Sequence, residues 1–173
     1  MTHISGIAAR LENWPLERVA ERLSAACYGT VLVLAALPLI DSDEVSSGLG
    51  WELVTGVGVA TWVAHLYAEV VGDRLRHDAA LDRREIRRAA ADGFPILLAA
   101  VLPAVVLLLG RLGVLIPRTA LWVAVGVACL QLVAVGAFVG RTVSPRGSNV
   151  SLYAAATAVF GTIVVILKVV LGH

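Results

Sequence analysis

The chain has 173 residues, of which 58% are hydrophobic and 16% charged, with a mean hydropathy of +0.84. A soluble domain carries about a quarter charged residues, so this composition excludes an ordinary water-soluble globule. The net charge of +1, with no basic patch interleaved with aromatics, argues against nucleic acid as a partner.

Residues 1–22 open the chain with Ile4, Ile7, Leu11 and Trp14 at helical spacing and charges between them. This pattern fits an amphipathic segment lying at the membrane interface. It fits equally the solvated start of the first spanning helix. Glu12, Glu17 and Glu21 stand among the arginines, and no clean small-residue site follows Ile40, so a cleaved signal peptide is not expected.

A bilayer core about 30 Å thick needs about 20 mostly apolar residues to cross it. Five stretches meet or approach this: 23–40, 49–72, 94–112, 119–140 and 150–171. None alternates as a strand does, and all are too long for buried strands. The predicted fold class is therefore all-α, a polytopic membrane helix bundle of about five transmembrane helices forming one domain. Cys27 and Cys129 lie inside apolar runs with no CxxC partner and read as small buried hydrophobes.

Arginine placement orients the chain. With the N-terminus inside, Arg10, Arg18, Arg22, the six arginines of the 73–93 linker, Arg141 and Arg146 fall on the inner side. Arg111, Arg118 and Lys168 fall outside, a split of 11 against 3. Basic residues mark the cytoplasmic side, so the N-terminus is expected there. The arginine-rich, Ala/Val/Leu/Gly-rich composition points to a bacterial cytoplasmic (inner) membrane. The charged linker reads as a cytoplasmic extension of the second helix followed by a turn at Asp92-Gly93. Its positive charge can attract anionic lipid, although setting topology is sufficient reason for it.

The second stretch carries most of the information. In steps of four, Gly56, Ala60, Ala64, Ala68 and Gly72 form a ladder of small residues, the pattern by which helices approach closely in lipid. Beside it runs a polar row of Thr61, His65, Glu69 and Asp73. At 1.5 Å per residue His65 lies about 7 Å, and Glu69 about 13 Å, from the middle of the span near Ala60. Ionisable groups at such depth face the bundle interior or a wet cavity. Imidazole changes charge near neutral pH, which suits a proton relay. The same pair offers one nitrogen and carboxylate oxygens to a divalent metal, though HxxxE alone is not a metal motif. A purely structural hydrogen bond between the two is an equal reading.

Two further features complete the reading. Asp41, Asp43, Glu44 and Glu52 place four acids and no base before or at the start of the second span, an arrangement that attracts cations at an outer mouth. The positive-inside rule alone also accounts for such a loop. In the fourth stretch Gly136 and Gly140 form GxxxG below a row of Ala120, Ala124 and Ala128, which reads as helix packing. Gln131 needs a hydrogen-bond partner, and Pro103 should kink the third helix. No GxSxG, HExxH or P-loop is present, so neither enzyme activity nor a cofactor is expected. The expectation is a homo-oligomeric channel or transporter for a small cation, a proton or divalent metal, with the second helix lining the route. The alternative is a structural or accessory protein that docks a partner through that helix.

Overall fold

The computed structural model describes residues 16–77 and 83–143, and positions 155, 156, 159, 161, 163 and 166 beyond them. The first helix, α1 (Leu16–Ala36), ends in a 3-10 turn over Leu37–Leu39, where Pro38 falls in the first turn. A short helix α2 (Ser42–Ser47) precedes the long α3 (Leu49–His77). Then come α4 (Arg83–Asp92), α5 (Phe94–Arg111) and α6 (Pro117–Val143). Among the described residues four helical stretches are long and apolar enough to span a membrane: Val19–Leu39, Leu49–Gly72, Arg83–Arg111 and Pro117–Arg141. The chain is a helical membrane bundle.

The ends of the elements differ from the sequence expectation in informative ways. The segment Leu16–Arg22 belongs to α1, two turns ahead of the apolar run, while residues 1–15 lie outside the described residues. The second helix does extend past the apolar stretch, to His77. Asp92-Gly93, however, does not reverse the chain. Gly93 has φ −78° and ψ −11°, its N–H donates to the Ala89 carbonyl, and Ile96 N–H donates to the Gly93 carbonyl. Helical dihedrals therefore continue from α4 into α5. Pro95 lacks an N–H but sits in the first turn of α5, where no intrahelical partner is required. The expected fifth span, 150–171, lies outside the described residues except for the helical positions named above, and Lys168 with it. Gly161 is nevertheless buried, and a Cβ there would stand 2.7 Å from Leu132 Cδ2 of α6.

Lipid tails are as apolar as leucine, so helices in a bilayer associate by close backbone approach rather than by escape from water. The crossings here are built that way. A Cβ at Gly29 of α1 would stand 2.9 Å from Ile96 Cα, one at Gly58 of α3 2.6 Å from Ala100 Cβ, and one at Gly110 of α5 2.7 Å from Ala120 Cβ. All three crossings involve α5, which buries Ile96, Ala99, Ala100, Pro103, Ala104, Leu107 and Gly110. This helix is the bundle's centre. On α6 the row Ala120, Ala124, Ala128, Leu132, Gly136 and Gly140 is buried throughout. Leu98, Leu102, Val105, Trp122 and Leu130 face outward, toward the acyl chains of a surrounding bilayer. Thr30, buried in α1, returns its hydroxyl to the Ala26 carbonyl at 2.8 Å, which satisfies the polar group within its own helix.

One end of the bundle is closed by α2. Asp41 accepts from the N–H groups of Asp43 and Glu44 at 2.9 and 2.8 Å, and Glu44 Oε2 accepts from Asp41 N–H at 2.9 Å. This reciprocal capping box satisfies donors that a six-residue helix would otherwise leave open. Gly48 ends the helix at φ +97°, a left-handed conformation that glycine adopts without steric cost. Val45 points into the core, against Gly110.

Candidate functional site

At the opposite, arginine-rich end the helices α1, α3 and α4 diverge. The polar row predicted on α3 opens here. His65 Nε2 and Glu69 Oε1 are 3.1 Å apart, one helical turn from each other, with side chains 29% and 33% exposed. The pair lines a cleft of about 570 Å³ that also receives Glu21 of α1 and Glu85, Arg88 and Asp92 of α4. Its remaining wall is made by Ala68, Gly72 and Ala89. Small side chains on α3 thus leave the space that the polar groups surround.

Two contacts hold α4 over this cleft. Arg22 Nε donates to Asp92 Oδ1 at 3.0 Å and ties α1 to the end of α4. Trp62 Nε1 donates to the Ala90 carbonyl at 3.1 Å and ties α3 to α4. Gly93 lies directly against the site: a Cβ there would be 3.0 Å from His65 Cδ2 and 3.3 Å from Trp62 Cδ1. The imidazole is therefore held between its own helix partner, Glu69, and the backbone that leads into α5. A second groove of about 320 Å³ continues along α1 and α3, lined by Ser24, Tyr28, Thr61, Ala64, His65 and Ala68 among others. His65 and Ala68 line both spaces, so the two meet at the imidazole.

The predicted site residues divide as follows. His65 and Glu69 are brought together, and Thr61 lies on the groove above them. Asp73 belongs to α3, but its side chain lies outside the described residues. The pair supplies two ligands to a metal, and among the described residues no set of three His, Cys, Asp or Glu side chains is placed to hold an ion. Of the acids at the other end, Asp41 and Glu44 are engaged in the capping box of α2. Glu52 Oε1 lies 4.0 Å from Arg111 Nη1, and the Arg111 side chain also covers Gly48. Asp43 is exposed. Glu52 thus faces a base that the sequence places 59 residues away.

The ladder on α3 stands apart from the ladder on α6. Gly56, Ala60, Ala64 and Ala68 are exposed and Gly72 is half-buried, and among the described residues nothing lies within 4 Å of a Cβ at Gly56. The face of α3 that meets α5 is instead that of Val54 and Gly58. Gly136 and Gly140 are buried. Among the described residues neither Gln131 Oε1 nor Trp51 Nε1, both buried, has a hydrogen-bond partner.

Glu21, Arg22, Glu85, Arg88 and Asp92 were not among the residues selected from sequence. Their signal was weak but present: Arg22 and Asp92 each stand beside a span boundary, where a charged side chain reaches across to a neighbour. Comparison of the chain with family models, with curated proteins and with solved structures finds no match.

Proposed function

We propose that this multi-pass membrane protein moves protons across its membrane as a homo-oligomer, with α3 lining the route and His65 and Glu69 relaying the proton. The observation that carries the proposal is the 3.1 Å contact of His65 Nε2 with Glu69 Oε1 at the wall of a polar cleft. A proton arriving from water in the cleft binds the Glu69 carboxylate, passes along the hydrogen bond to Nε2, and leaves the carboxylate ready for the next. Imidazole suits the inner position because it both accepts and releases a proton near neutral pH. Thr61, on the groove beyond His65, extends the polar path along α3. A proton is favoured over a divalent metal because calcium takes six to eight oxygens and zinc about four ligands, and among the described residues no three such side chains are grouped to hold an ion. The arginine distribution supports a cytoplasmic N-terminus, with the cleft on the inner face of a bacterial inner membrane. With Asp41 and Glu44 in the capping box and Glu52 facing Arg111, Asp43 is then the outer acid left to attract cations.

Purified protein reconstituted in liposomes with a trapped pH dye and an imposed potential tests the proposal. Wild type should acidify or alkalinise the lumen, and His65→Ala or Glu69→Gln should slow this at least ten-fold. Wild-type vesicles no more permeable to protons than empty ones would refute it.

A second reading is favoured by a specific observation, the exposure of Gly56, Ala60, Ala64 and Ala68. A small-residue face left open along a spanning helix is a seat for another helix. In this reading the protein is an accessory that docks a partner through α3, and the polar pair fixes register. Gly56→Leu with Ala60→Leu then dissociates an assembly, while His65→Ala leaves proton permeability unchanged.

A further inference from the structure

A second cleft, of about 380 Å³, lies on the other side of the α4 ridge from His65. It is lined by Arg22 of α1 and by Arg84, Arg87, Arg88, Ala91 and Asp92 of α4. Among the described residues that line it, four guanidinium groups stand with one carboxylate, and that carboxylate is engaged by Arg22. Guanidinium forks match phosphate oxygens in pairs, which makes such a cluster a phosphate-type site rather than a general positive surface.

The helix that carries the arginines indicates which phosphate reaches them. Because Gly93 keeps helical dihedrals, α4 and α5 share one continuous face. Arg84, Arg88, Ala91, Pro95, Leu98, Leu102 and Val105 follow one another at alternating steps of four and three, which keeps them nearly in line. The lower members are outward-facing apolar side chains, with Leu98 51%, Leu102 53% and Val105 46% exposed. The same stripe is therefore cationic at its membrane-surface end and acyl-chain-compatible below. A soluble anion would match only its upper part. A phospholipid matches both.

We propose that the cleft between α1 and α4 binds the phosphate headgroup of an anionic membrane lipid, whose acyl chains lie along Leu98, Leu102 and Val105 of α5. The site shares Arg88 and Asp92 with the lining of the His65 cleft but does not rest on the proton relay. Arg84, Arg87 and Arg88 engage the phosphate oxygens, and the Arg22–Asp92 pair fixes the wall against which the headgroup sits.

The test is native mass spectrometry of the purified protein with an equal mixture of phosphatidylglycerol and phosphatidylcholine carrying identical chains. Wild type should retain phosphatidylglycerol preferentially. Arg84→Gln with Arg88→Gln should cut that preference by about 30-fold, from about five-fold for each arginine near a membrane surface. Arg118→Gln, the same charge change at the far end, should preserve it. If the double variant fails to fold, Arg87→Gln alone carries the test with a loss of about five-fold. Equal retention of both lipids by wild type overturns the proposal, and so does an equal loss in Arg118→Gln. Inorganic phosphate is the second arm. Phosphatidylglycerol retained in millimolar phosphate supports a headgroup site, whereas its complete displacement, with phosphate itself bound, overturns the lipid assignment.

Discussion

Gly56 and Gly58 are two residues apart on α3 and face nearly opposite sides of it, which makes a controlled experiment of the packing. A Cβ at Gly58 would stand 2.6 Å from Ala100 Cβ, while one at Gly56 meets nothing within 4 Å among the described residues. Carbon atoms rest at about 3.5–4.0 Å, so Gly58→Ala requires α3 and α5 to part by about 1 Å at their crossing. Neighbouring contacts along the seam lose part of their attraction, and overpacking of this kind costs about 1–3 kcal/mol. Both glycines also gain about 1 kcal/mol of helix propensity on becoming alanine. That gain is common to the two variants and cancels in their difference. We predict that Gly58→Ala is about 1–3 kcal/mol less stable than Gly56→Ala. Unfolding of the purified protein by increasing SDS in mixed micelles, followed by circular dichroism, measures the difference. Equal midpoints for the two variants would refute the view that glycine sets the α3–α5 approach.

Three further outcomes follow from contacts at the two ends. Asp41→Ala removes the acceptor that caps α2 and should cost about 0.5–2 kcal/mol in the same unfolding assay, whereas exposed Asp43→Asn should cost nothing measurable. Trp62→Phe keeps the ring but loses the hydrogen bond to the Ala90 carbonyl, worth about 1 kcal/mol, and should raise amide exchange across α4 ahead of the rest of the bundle. Gly93→Ala places a methyl against His65 Cδ2 and should shift the His65 ring resonances in a nuclear magnetic resonance spectrum while Glu69→Gln shifts them through the hydrogen bond instead.

Length and hydropathy place the described spans well, because crossing a bilayer imposes a strict length on a helix. The His65–Glu69 contact was legible too, since residues four apart on a helix are neighbours whatever surrounds them. What the sequence left open was which face of each helix meets the others. In water a buried face is marked by contrast with a polar one, but in lipid both faces are apolar. Thus α5, the least distinctive span, is the central one, and its role rests on where Gly29, Gly58 and Ala120 meet it. The two small-residue ladders look alike in sequence, yet Ala120 to Gly140 is buried and Gly56 to Ala68 is exposed. Residue size permits close approach without naming the partner. Contacts over long separations, such as Arg22 with Asp92 and Arg111 with Glu52, had no local signal that named the partner.

The closed end under α2 and the open end around His65 give the molecule an electrical asymmetry. Between Glu52 and Thr61 the helix rises about 14 Å, less than half of the roughly 30 Å hydrocarbon core. On the Thr61 side of that interval lie the two clefts around His65, while Val33, Leu34, Leu37 and Val54 are buried in the core. Water conducts and hydrocarbon insulates, so water entering those clefts would shorten the distance over which a transmembrane voltage falls. The local field beside them would then be steeper than in the surrounding bilayer.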